Sequence, residues 1–183
     1  PLKAMSRLKS KKRHLIKLVF IGNTHPCRSQ QPKAFREAYE SAKRRGLLNK
    51  TVFFSTDWIP FDQRDYYLTE SDAGIVTFND HLENRFSQRI RLLDYLWAEL
   101  PVLTNPGNVL SDFVDLERLG ILTPFANDKA LAEAIECLAS HPVKRKQIKE
   151  RIRHVKKQLQ WEKILLPLIH FCQNPRHARS LYK

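Results

Sequence analysis

The stretch AGIVTFNDHLENRFSQRIRLLDYLWAELPVLTN, Ala73 to Asn105, decides the fold. Its first six residues lack the polar–apolar alternation of a half-exposed strand, the pattern of a strand covered on both faces. A polar loop follows, then a helix expected from Ser87 to about Ala98, then PVLTN as another short strand. Strand, helix and strand in this order make a βαβ crossover, which sets the two strands parallel in one sheet. Asp94 is the anomaly, a carboxylate among Leu92, Leu93, Tyr95, Leu96 and Trp97. It belongs either to a solvated helix edge or to a site where the carboxylate holds a ligand.

The alternation continues on both sides. HLIKLVFIG (His14 to Gly22) and TVFFST (Thr51 to Thr56) read as strands, rich in β-branched and aromatic residues. Between them a helix starts with Pro32 and stops near Gly46, with Phe35, Tyr39 and Ala42 at helical spacing. DQRDYYLTESD gives a short helix with an acidic residue at the N-cap. Beyond the opening stretch come a helix ending at Gly120, a weak fifth strand ILTP, and an amphipathic helix with Leu131, Ile135 and Leu138 on one face. Basic helical patterns run on to about residue 174, interrupted at Pro167.

The expected fold class is α/β, a Rossmann-like parallel sheet with helices on both faces. Residues 14–142 would form this unit, residues 1–13 a basic linker, and residues 143–183 a set of C-terminal helices. Such sheets bind ligands outside the C-terminal ends of their strands, beside helix N-termini. The loops to search are therefore 22–31, 57–61, 79–87 and 105–109.

At 183 residues the chain is the size of one domain. No apolar run approaches the roughly 20 residues of a membrane helix. The N-terminus is basic and then apolar, but Lys17 interrupts it and no small-residue cleavage site follows, so it does not read as a signal peptide. With Pro first and Met5 the sole methionine, the chain reads as a piece of a longer protein. Cys27, Cys137 and Cys172 are odd in number and widely spaced, against a disulfide framework and in keeping with a reducing cytoplasm. His170 and Cys172 are a lone pair, and no metal site is expected.

The net charge of +13 is unevenly placed. Residues 1–50 hold 14 Lys/Arg against 2 Asp/Glu, residues 51–142 hold 6 against 15, and residues 143–183 hold 12 against 2. The regular part is acidic and the basic ends lack interleaved aromatics, which argues against nucleic acid as the partner. The missing G-x-G-x-x-G after the first strand excludes the usual nicotinamide fingerprint.

Ser87, as the expected N-cap, would leave free N–H groups suited to a phosphate. Ser87, Arg91 and Asp94 then share one helix face, with a hydroxyl, a guanidinium and a carboxylate running inward from the crevice. The competing reading is an ordinary i,i+3 surface ion pair between Arg91 and Asp94.

The string HLENRFSQRIRLLDYLWAELP, His81 to Pro101, resembles bacterial members of glycosyltransferase family 4 (group 1) that carry HLE-x-RFS-x-R-x-R-x-LDYLWAGLP. The order of strand, acidic helix, LPVLT, Gly-containing loop and DKALAEAI is similar to the C-terminal half of a GT-B enzyme over about His14 to Cys172. The GNTHP turn (Gly22 to Pro26) and the WIP loop (Trp58 to Pro60) fall where that subset has similar turns. The resemblance implies that Asp94 takes the place of the acid that binds the nucleotide ribose, as Asp where most members have Glu. The first acid of the E-x7-E pair would fall on Phe86, so that motif is broken, and Glu83 is the nearest candidate to contact the donor sugar. Ser87, Arg89 and Arg91 would face the diphosphate, Trp58 and Ile59 would lie at the base, and Gly22, Asn23 and Gly107 would approach the donor with backbone. Glu99 stands where the family has Gly.

The implied activity is a donor-binding half of a hexosyltransferase-like enzyme, cytoplasmic, with peripheral contact to the inner face of the membrane, serving polysaccharide biosynthesis. It would transfer a sugar from a nucleotide-diphosphate sugar to a glycan or lipid-linked acceptor with retention. No metal or other cofactor is implied, and an N-terminal acceptor domain of the same enzyme is needed for turnover. The basic ends suggest contact with an anionic membrane. The alternative is a non-catalytic interaction module on a GT-B-like scaffold.

Overall fold

The computed structural model describes residues 1–9, 13–22, 31–55 and 57–175. Five strands of three residues each are present among them: β1 Leu18–Phe20, β2 Val52–Phe54, β3 Gly74–Val76, β4 Val102–Thr104 and β5 Gly120–Leu122. All pairings are parallel, but the ladder falls into two pieces, β1–β2 and β3–β4–β5. The helices are α1 Leu2–Arg7, α2 Lys33–Arg44, α3 Arg64–Thr69, α4 Leu82–Phe86, α5 Arg91–Trp97, α6 Val109–Leu116, α7 Asp128–Ser140, α8 Pro142–Lys156, α9 Trp161–Ile164 and α10 Leu166–Gln173. Strand, helix and parallel strand recur as the sequence pattern predicts.

β4 is the centre of the larger piece, and its three residues are all buried. Gly120 is what lets β5 lie against it. A Cβ there would stand 1.9 Å from the Val102 carbonyl oxygen. Gly74 plays a similar part on the other side, where a Cβ would sit 2.3 Å from the Tyr95 ring. The Tyr95 hydroxyl donates to the Ile75 carbonyl at 3.2 Å, so the ring pins α5 to β3. One apolar core joins both sheet pieces, with Leu92, Leu96, Leu103, Val114, Ile148 and Ile152 among its buried members.

Two expected boundaries are corrected. Residues 1–13 are not simply a basic linker, because α1 buries Ala4 and Met5, with Leu8 just beyond, against the same core. Its apolar side is narrow and flanked by Lys and Arg, yet the Arg7 guanidinium pairs with Asp128 at the start of α7. The division at 142/143 is also too early. Ile148, Ile152 and Val155 of α8 lie one to two turns apart on a single buried face, so α8 is part of the domain. Beyond it, α9 and α10 bury no residue, and the break between them falls at Leu165, beside Pro167.

Candidate functional site

Parallel strands deliver the loops after β3, β4 and β5 to one edge, and Asn105 ties those loops together. It is 3% exposed. Its Nδ2 donates to the Thr123 carbonyl at 2.8 Å and the Pro124 carbonyl at 3.3 Å, and its Oδ1 accepts from the Phe78 N–H at 3.0 Å. Phe78 and Phe125 meet at 6.0 Å between ring centroids, and the Arg89 guanidinium lies 5.0 Å from the Phe78 centroid. The sequence reading missed Asn105. Its signal was a polar residue directly following a strand that is apolar throughout.

The helix expected from Ser87 to Ala98 begins only at Arg91, and the preceding segment, expected as a polar loop, holds the short helix α4. His81 caps α4, its Nδ1 accepting from the Glu83 N–H at 3.2 Å. Ser87 is the C-cap of α4, in extended backbone, with its N–H on the Glu83 carbonyl at 2.8 Å. It is therefore not the N-cap of α5, a position that Ile90 holds without a side-chain cap. Ser87, Arg91 and Asp94 do not share one helix face. The interruption has a tertiary cause: the Arg89 side chain turns back to donate to Asn84 Oδ1 and to cover Phe78, contacts an unbroken helix would not give it.

Arg91 and Asp94 form the i,i+3 pair at 3.4 Å, with half of the Arg91 side chain and a third of the Asp94 side chain exposed. Asp94 lies in the first turn of α5, where the helix dipole favours a carboxylate. Tyr95, the next residue, fixes the rotation of α5, and burial raises its phenol pKa, with Arg91 opposing and Asp94 adding to the shift. Glu83 lies exposed in the first turn of α4, and Phe86 is 81% exposed where the family's first acid would stand.

The remaining candidates lie on the other loops. Gly22 follows β1 with φ +123° and open space where a Cβ would be. Asn23 lies outside the described residues. Trp58 is half-buried with Ile59 buried beside it, and the Arg64 guanidinium stands 5.6 Å from the Trp58 ring centroid and 5.5 Å from that of Phe61. Gly107, at φ +103°, precedes Asn108, which caps α6 in a reciprocal box with Ser111. A Cβ on Gly107 would come within 3.4 Å of the Phe125 ring. Buried polar atoms without a partner include Ser87 Oγ, Arg89 Nε and Asn108 Nδ2, all on loops at this edge.

A cavity of ≈ 550 Å³ lies elsewhere, lined by Glu117, Gln147, Glu150, Arg151, His154 and Val155. It sits against α8 and gathers no loop from a strand C-terminal end, so the candidate site is placed at the Asn105 edge. Among the described residues no cluster of three or more His, Cys, Asp or Glu could hold a metal ion, and no helix is long and apolar enough to cross a membrane.

Glu99 occupies its unusual place by a specific route. It adopts φ +59° immediately after α5. The Leu100 N–H returns to the Tyr95 carbonyl at 2.8 Å and the Glu99 N–H to the Leu96 carbonyl at 3.1 Å, the two bonds of a Schellman cap. The Glu99 carboxylate then meets Arg153 at 2.6 Å and Lys156 at 3.0 Å, and Lys156 also donates to the Trp97 carbonyl at 3.1 Å.

The family model of Glycosyl transferases group 1 matches residues 2–155. No curated protein matches the chain in sequence. Among solved structures the chain is similar to WaaG, a glycosyltransferase involved in lipopolysaccharide biosynthesis, at 20% identity and TM-score 0.68, over 92% of this chain and 40% of that one. It is also similar to sucrose-phosphate synthase from Thermosynechococcus elongatus, at 20% identity and TM-score 0.70, over 94% and 40%. A third similar structure, HepE of Anabaena in complex with UDP, gives 14% identity and TM-score 0.68 over 94% and 43%. The chain spans about two fifths of the length of these proteins, and likeness at such identity establishes the fold.

Proposed function

The chain belongs to the group 1 glycosyl transferases, and on that premise we propose that it binds a nucleotide-diphosphate sugar at the C-terminal ends of its strands. The observation that supports this reading is that Asn105 and Arg89 both meet Phe78 at the C-terminal edge of a parallel sheet. Gly107 is on the loop that Asn105 begins, and Asp94 is in the first turn of the helix that follows Arg89. In this reading Asp94 accepts from the ribose hydroxyls, and donor binding competes with its exposed pair to Arg91. Trp58 and Ile59 flank the base, Glu83 reaches the donor sugar, and Gly22 and Gly107 admit the donor close to the backbone.

Sugar transfer places negative charge on the departing diphosphate and positive character on the sugar carbon. Groups fixed in advance around the leaving oxygens stabilise that charge most effectively. Arg89 and the N–H groups at the start of α6 supply this without a metal, and the configuration at the sugar carbon is retained. The acceptor is held by a second domain, and α9 and α10, which expose Trp161, Leu168 and Phe171, pack against it. The chain alone is then a donor-binding half with little or no transferase activity. HepE, a similar structure, is solved with UDP and with UDP-glucose, which makes UDP the first ligand to try.

Calorimetric titration of the chain with UDP, GDP and their sugar conjugates, with Asp94→Ala in parallel, tests the reading. Binding of one nucleotide between millimolar and micromolar Kd, lost in Asp94→Ala, is the expected result. A folded chain that binds none of the panel would overturn it in favour of a non-catalytic module, a role to which the exposed Phe86 in place of an acid would then point.

A further inference from the structure

Arg89 differs from Arg91, two residues on. Arg91 is paired with Asp94, whereas among the described residues Arg89 takes no carboxylate. It is nevertheless held in place: a guanidinium N–H donates to Asn84 Oδ1, and the guanidinium lies over Phe78. Its Nε is buried without a partner, and two residues earlier Ser87 Oγ is buried without one as well. A partly buried charge that is immobilised but uncompensated is costly unless an anion completes it.

Asn84 explains how that state is kept. It is 4% exposed on a five-residue helix, a rare place for an amide. Its Nδ2 donates to the Asn79 carbonyl, closing the turn after β3, and its Oδ1 receives Arg89. A neutral amide oxygen orients the guanidinium without cancelling its charge, as a carboxylate would. Asn105 supports the arrangement from the other side by fixing the backbone of Phe78 through its N–H.

We propose that Asn84 is a positioning residue that holds Arg89, uncompensated, as the cation for the phosphates of a nucleoside diphosphate, with Asn105 bracing the Phe78 ring beneath it. The inference rests on the donor-binding reading and adds to it what holds Arg89 in place and keeps its charge available.

The test is titration of the chain with uridine, UMP and UDP, for the wild type, Arg89→Gln, Asn84→Ala and Asn84→Asp, with thermal melting of each. Arg89→Gln and Asn84→Ala weaken UDP roughly ten- to hundredfold, the loss of one charge-assisted contact, and leave uridine unchanged. Asn84→Asp keeps the contact to Arg89 but gives up the donor to the Asn79 carbonyl. It loses UDP affinity to a similar degree, because the new carboxylate neutralises Arg89, and its melting curve shows that it folds. Folded Arg89→Gln and Asn84→Asp chains that bind UDP like the wild type overturn the inference, and loss of UDP in Asp94→Ala would show that the donor site itself stands. Equal loss of uridine and UDP assigns Asn84 a purely structural role and also overturns it. If Asn84→Ala does not fold, the other two variants decide. A wild type that binds none of the three ligands overturns the donor-binding reading and this inference together.

Discussion

Glu99 carries two opposing effects, and replacing it separates them. The backbone at φ +59° costs a non-glycine residue about 1 kcal/mol or somewhat more. Against that, the carboxylate pairs with Arg153 and Lys156, whose side chains are 58% and 39% exposed while that of Glu99 is 25% exposed. Discounted for solvent screening, the two pairs together contribute roughly 1 kcal/mol. Glu99→Gln keeps the backbone cost and loses the pairs, so at pH 7 it is less stable by about 1 kcal/mol, about 3 °C in Tm for a chain of this size. Glu99→Gly loses the pairs and relieves the backbone, so at pH 7 it matches the wild type to within about 0.5 kcal/mol.

The pH dependence follows from the carboxyl. Burial alone would push its pKa up, but hydrogen bonds and charge from Lys156 and Arg153 outweigh burial and leave it below the ordinary value. The stabilisation is therefore full above the unfolded carboxyl's pKa, about 4.3, and vanishes as pH falls through the lower folded value. Over that acid window the wild type descends to the level of Glu99→Gln, while Glu99→Gly comes to exceed both by about 1 kcal/mol. Urea denaturation of the three chains, stepped from pH 7 downward and repeated in high salt, reads these differences directly. Glu99→Gly as unstable as Glu99→Gln at pH 7 would refute the assignment of strain. Glu99→Gln equal to the wild type at pH 7 would refute the ion pairs.

Three further outcomes are expected. Gly120→Ala cannot place its Cβ beside the Val102 carbonyl without parting β4 from β5, so it costs more than about 3 kcal/mol and shows as insoluble expression or a collapsed urea midpoint. Leu103→Ala, at 1% exposure in the central strand, lowers stability by about 2–5 kcal/mol in the same assay with the fold retained. Paired Trp161→Ser and Phe171→Ser changes, at 69% and 54% exposed positions, shift Tm by less than about 2 °C in thermal melting, because neither side chain packs into the core.

Much of the fold was legible because its signals are local. Pro32 and Gly46 bracket α2, Leu131, Ile135 and Leu138 mark the buried face of α7, and the doubly apolar runs read as parallel strands. What was missed depended on contacts distant in sequence or on sparse signals. Nothing in FSQRI breaks a helix, and the chain turns there because Arg89 finds Asn84 and Phe78. The apolar residues of α1 are only Leu2, Ala4, Met5 and the adjoining Leu8, and their burial needs α7 beside them. Asp94 was legible as an anomaly, and the structure places it in a partly exposed ion pair with Arg91. The Asn105 bracket joins residues on three strand ends, which sequence spacing alone does not bring together.

The central claim is where a nucleotide docks, and mapping backbone amide shifts of the labelled chain during titration with UDP tests it most directly. The account predicts shifts centred on Trp58, the Ser87–Asp94 segment and Gly107–Asn108, absent with Asp94→Ala. Shifts gathered instead around Glu117, Arg151 and His154, or along α9 and α10, would contradict it.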